Sequence, residues 1–246
     1  MNEQMSRHFE TVIKLRFDQV SGVVSVVSTD NKDRESLYEE LTYRAQVRGF
    51  DYLALCSAGG DFQTLYGRSI QPLNPEPFVE ALLQGEQRVA VGVDADGNEV
   101  VLFGVDAAYP MHNGDRSTGL IAAVPLEYIT DFLSLEDDEQ LMYYHVIRSD
   151  GSFVIQNPNT ELWNFLYNYK GSLILKQMKL SVDNSIKEFG DALKINEEYA
   201  TTFEVNGEER QIYGISLPYS EWYLVSVMPY SILDDAINNL SSSACS

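Results

Sequence analysis

The chain has 246 residues, 44% hydrophobic and 11% aromatic, which is enough apolar material for the core of one or two domains and too much for a disordered chain. Seventeen basic against 37 acidic side chains leave a formal charge of −20. A field of that sign repels polyphosphate and anionic lipid surfaces, so nucleic acid is set aside as a partner and the charge is read first as a source of solubility.

The first segment has the pattern of a helix from about 3 to 28, because Phe9, Ile13, Phe17, Val20, Val24 and Val27 recur at spacings of four and three with charges between them. Such a helix would be about 39 Å long at 1.5 Å per residue. A second helix is predicted over 33–48, with an acidic first turn, Leu37, Leu41 and Ala45 on one side and Gly49 as its stop. From Phe50 the pattern changes to short apolar runs between turn signals, the mark of an antiparallel sheet. Strands are predicted at 51–56, 62–66, 88–94, 99–108 and 119–124, with a short helix at 77–84 between the second and third. The acidic run Asp94-Ala95-Asp96-Gly97-Asn98-Glu99 is read as a hairpin turn rather than a calcium loop, since its Gly comes too early and no bidentate Glu follows at the required position.

The same order then recurs. Strands are predicted at 143–148 and 153–156 around Ser149-Asp150-Gly151-Ser152, then helical sequence over 162–193, then strands at 199–205, 211–217 and 222–228, the first two joined by Asn206-Gly207. Gly60-Asp61-Phe62 matches Gly151-Ser152-Phe153 at an offset of 91, and the run from Val124-Pro125 to Asp131 matches Met228-Pro229 to Asp235 at an offset of 104. Each copy closes as strand, Pro, helix, because Pro cannot continue a ladder and is tolerated in the first turn of a helix. Matched motifs at both ends favour a duplication with a longer helical excursion in the second copy. The expected fold is therefore α+β: a long N-terminal helix carrying two tandem PAS-like modules, each a mainly antiparallel five-stranded sheet with flanking helices. The expected boundaries are 1–36 for the helix and linker, 37–133 and 134–240 for the modules, and 241–246 for a disordered tail.

Three features carry the resemblance to a known family: the amphipathic helix before Ser28, the paired strand-turn-strand units, and the run Glu221-Trp222-Tyr223-Leu224-Val225-Ser226-Val227-Met228-Pro229-Tyr230-Ser231-Ile232-Leu233. The sequence resembles the double Cache family, the extracytoplasmic sensor domains of bacterial chemoreceptors, histidine kinases and diguanylate cyclases, over about 8–239. The resemblance implies membrane helices flanking this chain, a cytoplasmic output domain, an extracytoplasmic location and a ligand in the membrane-distal module. A subset of the family binds amino acids through an aromatic and arginine cluster and an acid on the last distal strand. This sequence departs from that pattern: no Arg-x-Trp-Tyr follows Arg68, and Leu120-Ile121-Ala122-Ala123-Val124 offers no carboxylate.

The ligand is expected where the distal sheet faces its helical excursion, since pockets are concave, largely apolar and fitted with a few polar anchors. Tyr66 and Arg68 leave the second strand, Arg88 opens the third, and Asp106 and Tyr109 close the fourth before Pro110. Tyrosine offers an apolar face with one hydroxyl, and arginine a planar donor fork suited to carboxylates. Each of the five has a competing reading as a surface or packing residue, and Trp163 and Trp222 are read as core.

No enzyme is expected. His8, His112 and His145 lie far apart with no metal-ligand spacing, and no nucleophile elbow, phosphate loop or zinc-protease helix is present. The acidic pair Asp137-Asp138 falls in the charged connector Glu136-Asp137-Asp138-Glu139. Cys56 sits in an apolar run as a structural thiol, and Cys245 lies in the Ser-rich tail. No cofactor is expected. No stretch approaches the roughly 18 apolar residues of a membrane helix, and the N-terminus lacks a leader pattern, so the chain as written is expected to be soluble. The expected partner is a small molecule of unknown identity. A homodimer through the N-terminal helix stands against the alternative that packing on the sheets consumes its apolar stripe. The rival functions are an interaction module with no small-molecule ligand, which keeps the same fold, and a secreted hydrolase, which would need a nucleophile beside a base.

Overall fold

In a computed structural model, which describes residues 2–28, 32–133, 143–148, 153–155, 188–196, 198–205 and 208–229, the amphipathic N-terminal segment forms helix α1, Asn2–Val26. Its buried stripe is Phe9, Ile13, Arg16, Phe17, Val20, Val23 and Val27. Val23 takes the place expected for Val24, which is half-buried. The phase differs because Arg16 belongs to the stripe, and a purely apolar reading passes over it. Helix α2, Arg34–Val47, begins where the Asp33 carboxylate accepts the Ser36 N–H at 3.0 Å, a standard N-cap, and ends before Gly49 at φ 75°. It buries Leu37, Leu41 and Ala45, as their spacing predicts.

The chain divides into two compact units, Arg7–Leu133 and Ser134–Ser246 with Met1–Ser6. In the first, strands β1 (Tyr52–Ser57), β2 (Phe62–Tyr66), β3 (Ile70–Pro72), β4 (Arg88–Asp94), β5 (Glu99–Asp106) and β6 (Ser117–Pro125) form an antiparallel sheet in the order β2-β1-β6-β5-β4-β3. All five predicted strands are present. The sixth, β3, is a three-residue edge that pairs Ile70 with Asp94, too short and too close to Pro72 to carry an alternation signal. Helix α3, Pro75–Leu83, is the predicted excursion, and Pro125 ends β6 directly before helix α4, Leu126–Leu133.

In the second unit, β7 (Tyr143–Arg148), β8 (Phe153–Ile155), β9 (Glu198–Val205), β10 (Glu208–Ser216) and β11 (Trp222–Pro229) form an antiparallel sheet in the order β8-β7-β11-β10-β9. Helix α5, residues 188–195, precedes β9. With β3 set aside, the two sheets have one strand order, second-first-fifth-fourth-third. The register agrees with the sequence offsets: Ala54 pairs with Ile121 in the first sheet, and His145 with Val225 in the second, shifts of 91 and 104. The expectations for Ser149–Ser152, Asn206-Gly207, Trp163, the connector 136–139, the helical stretch before 188 and everything after Pro229 lie outside the described residues.

Candidate functional site

Strand alternation sorts the first sheet into two faces. On one, Phe103 meets Phe17 of α1 edge-on, ring centroids 5.7 Å apart, and Phe50 at 6.3 Å. On the other, Ala54, Cys56, Val100, Leu102, Ile121 and Ala123 form one cluster with Phe78, Val79 and Leu82 of α3. Two glycines let α3 come this close. A Cβ on Gly104 would stand 2.7 Å from Phe78 Cζ and 2.9 Å from Leu82 Cδ2, and one on Gly119 would stand 2.8 Å from Leu82 Cδ1. The middle of this face is therefore filled by α3 itself. Burial pushes the Cys56 thiol up to about 12, with the Asp61 carboxylate adding to the shift, so this cysteine is no nucleophile near neutral pH.

The polar groups gather at the ends of that face. At one end Gly67, at φ 76° and with no room for a Cβ 2.5 Å from the Asp51 carbonyl, turns the chain from Tyr66 to Arg68. Arg68 donates through Nη1 to Asp94 Oδ2 at 3.4 Å and pairs through Nη2 with Asp96 Oδ2 at 3.0 Å, leaving 56% of its side chain exposed. The Asp94 side chain is fully covered. Its Oδ1 accepts the N–H groups of Asp96 and Asn98 at 2.9 Å each, and its Oδ2 accepts Asn98 Nδ2 at 3.1 Å and the Tyr52 hydroxyl at 3.2 Å. Donation from the Asn98 side chain, followed by the backbone N–H groups and Tyr52, holds this carboxyl at about 2 against the opposing effect of burial. The acidic run is thus a hairpin turn, its left-handed position taken by Gly97 at φ 84°.

At the other end Arg88 pairs with Gly104, and Asp106, two residues on, shares their face. Arg88 is half-buried and Asp106 exposed. Six residue steps along β4, about 20 Å, separate Arg88 from Asp94. Tyr66 is half-buried opposite Leu53, beyond a bulge in the β1–β2 ladder. Tyr109 belongs to another set of contacts: it is 3% exposed, and its hydroxyl is shared between the Val24 and Val27 carbonyls at 3.3 and 3.2 Å, closing the C-terminal end of α1. The five sequence candidates therefore fall into four places: Arg68 on the Asp94 turn, Tyr66 on β2 opposite Leu53, Arg88 and Asp106 at the far end, and Tyr109 against α1.

Sequence reasoning did not single out Tyr52 or the pairing of Phe78 and Leu82 with Gly104. A signal for the latter exists. Phe78-Val79-Glu80-Ala81-Leu82 and Phe189-Gly190-Asp191-Ala192-Leu193 share Phe, an acid, Ala and Leu at an offset of 111. In the second unit Phe189 and Leu193 seat on Gly214, whose Cβ would stand 2.7 Å from both, in the same relation as Phe78 and Leu82 to Gly104.

Among the described residues no group of three or more His, Cys, Asp or Glu side chains could hold a metal ion, and no helix is long and apolar enough to cross a membrane. No family model and no curated protein sequence matches the chain. Fold comparison agrees with the architecture, an α+β fold with a long N-terminal helix and two PAS-like modules. Similar solved structures include the ligand-binding domain of the Pseudomonas aeruginosa amino acid chemoreceptor PctC in complex with GABA, 15% identical with a TM-score of 0.58 over 92% of this chain and 96% of that one. The corresponding domain of PctB in complex with L-Arg is 12% identical with a TM-score of 0.57, over 99% and 90%. An extracellular domain assigned to a histidine kinase, mmHK1S-Z2, is 12% identical with a TM-score of 0.58, over 94% and 96%. The first two are ligand-binding domains and the third an extracellular domain.

Proposed function

We propose that this chain is the extracytoplasmic sensor region of a bacterial membrane receptor, with no catalytic activity of its own. Residues 37–133 are the membrane-distal, ligand-binding module and 134–240 the membrane-proximal one, joined through flanking membrane helices to a cytoplasmic output domain. The observation that carries this reading is the pair of sheets with one strand order and one register, in a fold shared over more than nine-tenths of the chain with sensor domains. The ligand is a small carboxylate-bearing molecule, for which Arg68 supplies the exposed donor fork and Tyr66, two residues earlier in the chain, a ring; Arg88 and Asp106 line the opposite end of the Asp94 face. The complexes of PctB with L-Arg and PctC with GABA support an amine-bearing carboxylate as the first class to try.

The test is thermal unfolding against a panel of amino acids and short carboxylates. A true ligand at a hundredfold excess over its Kd adds about 2.7 kcal/mol to stability, so the midpoint rises with concentration. The rise is expected to shrink in Arg68→Ala while the unliganded midpoint stays put. Unchanged affinity in that variant removes Arg68 from the site, and a flat response to every compound sinks the ligand-binding reading. One observation favours a second reading, an interaction module without a small-molecule ligand: Phe78, Val79 and Leu82 already fill the centre of the face.

A further inference from the structure

Along α1 and the residue after it, the buried positions are 9, 13, 16, 17, 20, 23 and 27, spaced by three and four apart from the adjacent pair 16 and 17, and the third of them is an arginine. Arg16 is 6% exposed and so counts among the buried residues of the stripe. Among the described residues no carboxylate pairs with it. Its guanidinium instead lies over the ring of Tyr128 in α4, Cζ to centroid 4.2 Å, and faces Phe50 at 5.4 Å. Nη1 donates to Gln19 Oε1 at 3.0 Å and to the carbonyl of Arg48, the residue capping α2, at 3.4 Å. A buried cation is costly unless its donors and its charge are met, and here two ring faces and two oxygens meet them. Methionine or leucine would fill the space without that cost.

We infer that Arg16 is a positioning residue that fixes the middle of α1 along its axis and couples it to α4. Most other buried contacts of α1 are apolar and non-directional and tolerate small slides; the directional ones lie towards its C-terminal end, where Tyr109 donates to the Val24 and Val27 carbonyls and Gln87 to the Ser21 hydroxyl. The Arg16 set is directional: a planar cation over a ring, with a hydrogen bond to a fixed carbonyl, holds only at one axial position. One partner, Tyr128, lies in α4 and is 37% exposed. Two others, Phe50 and Arg48, form the corner where α2 leads into β1. A displacement of α1 is therefore felt in α4, the last element before residue 134. This coupling stands whether or not the distal module takes a small molecule.

The experiment is hydrogen–deuterium exchange of the full 246-residue chain in Arg16→Met, Arg16→Lys, Tyr128→Leu and the Arg16→Met/Tyr128→Leu double variant. Backbone amides of residues 130–133 are expected to exchange about tenfold faster in Arg16→Met and in Tyr128→Leu, no faster again in the double variant, and less so in Arg16→Lys, with β4–β6 unchanged. Coupling is reciprocal, so Tyr128→Leu also speeds the amides of 9–13 in α1, about one to two turns beyond the contact, a change that loss of the ring contact alone does not produce. If Arg16→Met fails to fold, Tyr128→Leu alone decides by that reciprocal effect. Unaltered exchange at 130–133, additive effects in the double variant, or an equal rise across the whole module overturns the proposal.

Discussion

The two modules are one architecture fitted out twice, and the positions where they differ are as informative as those where they agree. Strand order, register and the seating of a Phe–Leu pair on a strand glycine are common to both. On the face that meets the excursion helix, however, Ala54 of the first module becomes His145, Gly119 becomes Tyr223, and Arg88 becomes Tyr199. The first face is small and aliphatic in the middle, with its charges pushed to the strand ends. The second carries an imidazole and phenol rings among Ile147, Phe189, Leu193, Ile212 and Val225. What repetition fixes is the packing of helix on sheet; what it leaves free is the chemistry of the face beneath.

The sharpest way to break the comparison is to remove the shared element from each copy in turn. Phe78 and Phe189 are 2% and 4% exposed, and each caps a glycine. Phe78→Ala and Phe189→Ala should each cost about 3–5 kcal/mol, the usual range for a phenylalanine cut from a core. Urea unfolding followed by probes in each module tells whether the loss stays in the module that was altered. Equal losses confined to the altered copy support two like and separately stable units; a large loss for one and none for the other means the seating is structural in only one of them.

A smaller effect separates the copies by pH. Burial lowers His145 to about 4 from an ordinary value of 6.5, in a site where the ring meets Phe153 edge-on at 5.3 Å. The folded form thus binds its proton later than the unfolded chain. The stabilisation is fully present above pH 6.5 and is lost as pH falls from 6.5 to 4, to a limit of about 3 kcal/mol. The position equivalent to His145 in the first module is Ala54, which titrates nothing. The strongly shifted carboxyl there, Asp94, acts lower, its contribution present above 3.8 and lost as pH falls towards 2. Acidification from pH 7 to 4.5 should therefore weaken the second module before the first, and His145→Phe should remove most of that difference. Parallel acid melting of the two modules in the unaltered chain would refute the assignment.

Much of this architecture was legible because it repeats. Periods of two and of roughly 3.6 located the strands and helices, and the offsets of 91 and 104 anticipated the register of both sheets. Legibility failed where a residue acts against its type. Arg16 is charged and buried, so an apolar count skipped it and displaced the stripe from Val23 to Val24. Tyr109 has the ring and hydroxyl of a ligand contact, yet its hydroxyl serves the carbonyls of a helix distant in sequence. Strand β3 is only three residues long and ends in proline, so it carries no alternation to read. The candidate site was the least legible of all, since which polar groups share one end of a face depends on pairings such as that of Tyr52 with Asp94, 42 residues apart.

The smallest effect concerns Arg68, and it tests whether the hairpin end of the first face is a structural knot or an open site. Asp94 accepts from two backbone N–H groups, the Asn98 amide and the Tyr52 hydroxyl, so it remains satisfied when the arginine is removed. The ion pairs themselves are more than half open to water on the arginine side and paired with Asp96 at the surface, where such contacts contribute little. Arg68→Ala should therefore change unfolding stability by no more than about 0.5 kcal/mol, measured in urea at moderate salt. Tyr52→Phe, which takes a donor from the covered carboxylate, should cost more, about 1 kcal/mol. A guanidinium that adds almost nothing to the fold is what the proposed ligand role for Arg68 requires. A loss above about 1.5 kcal/mol in Arg68→Ala would reverse that argument and make the arginine part of the knot.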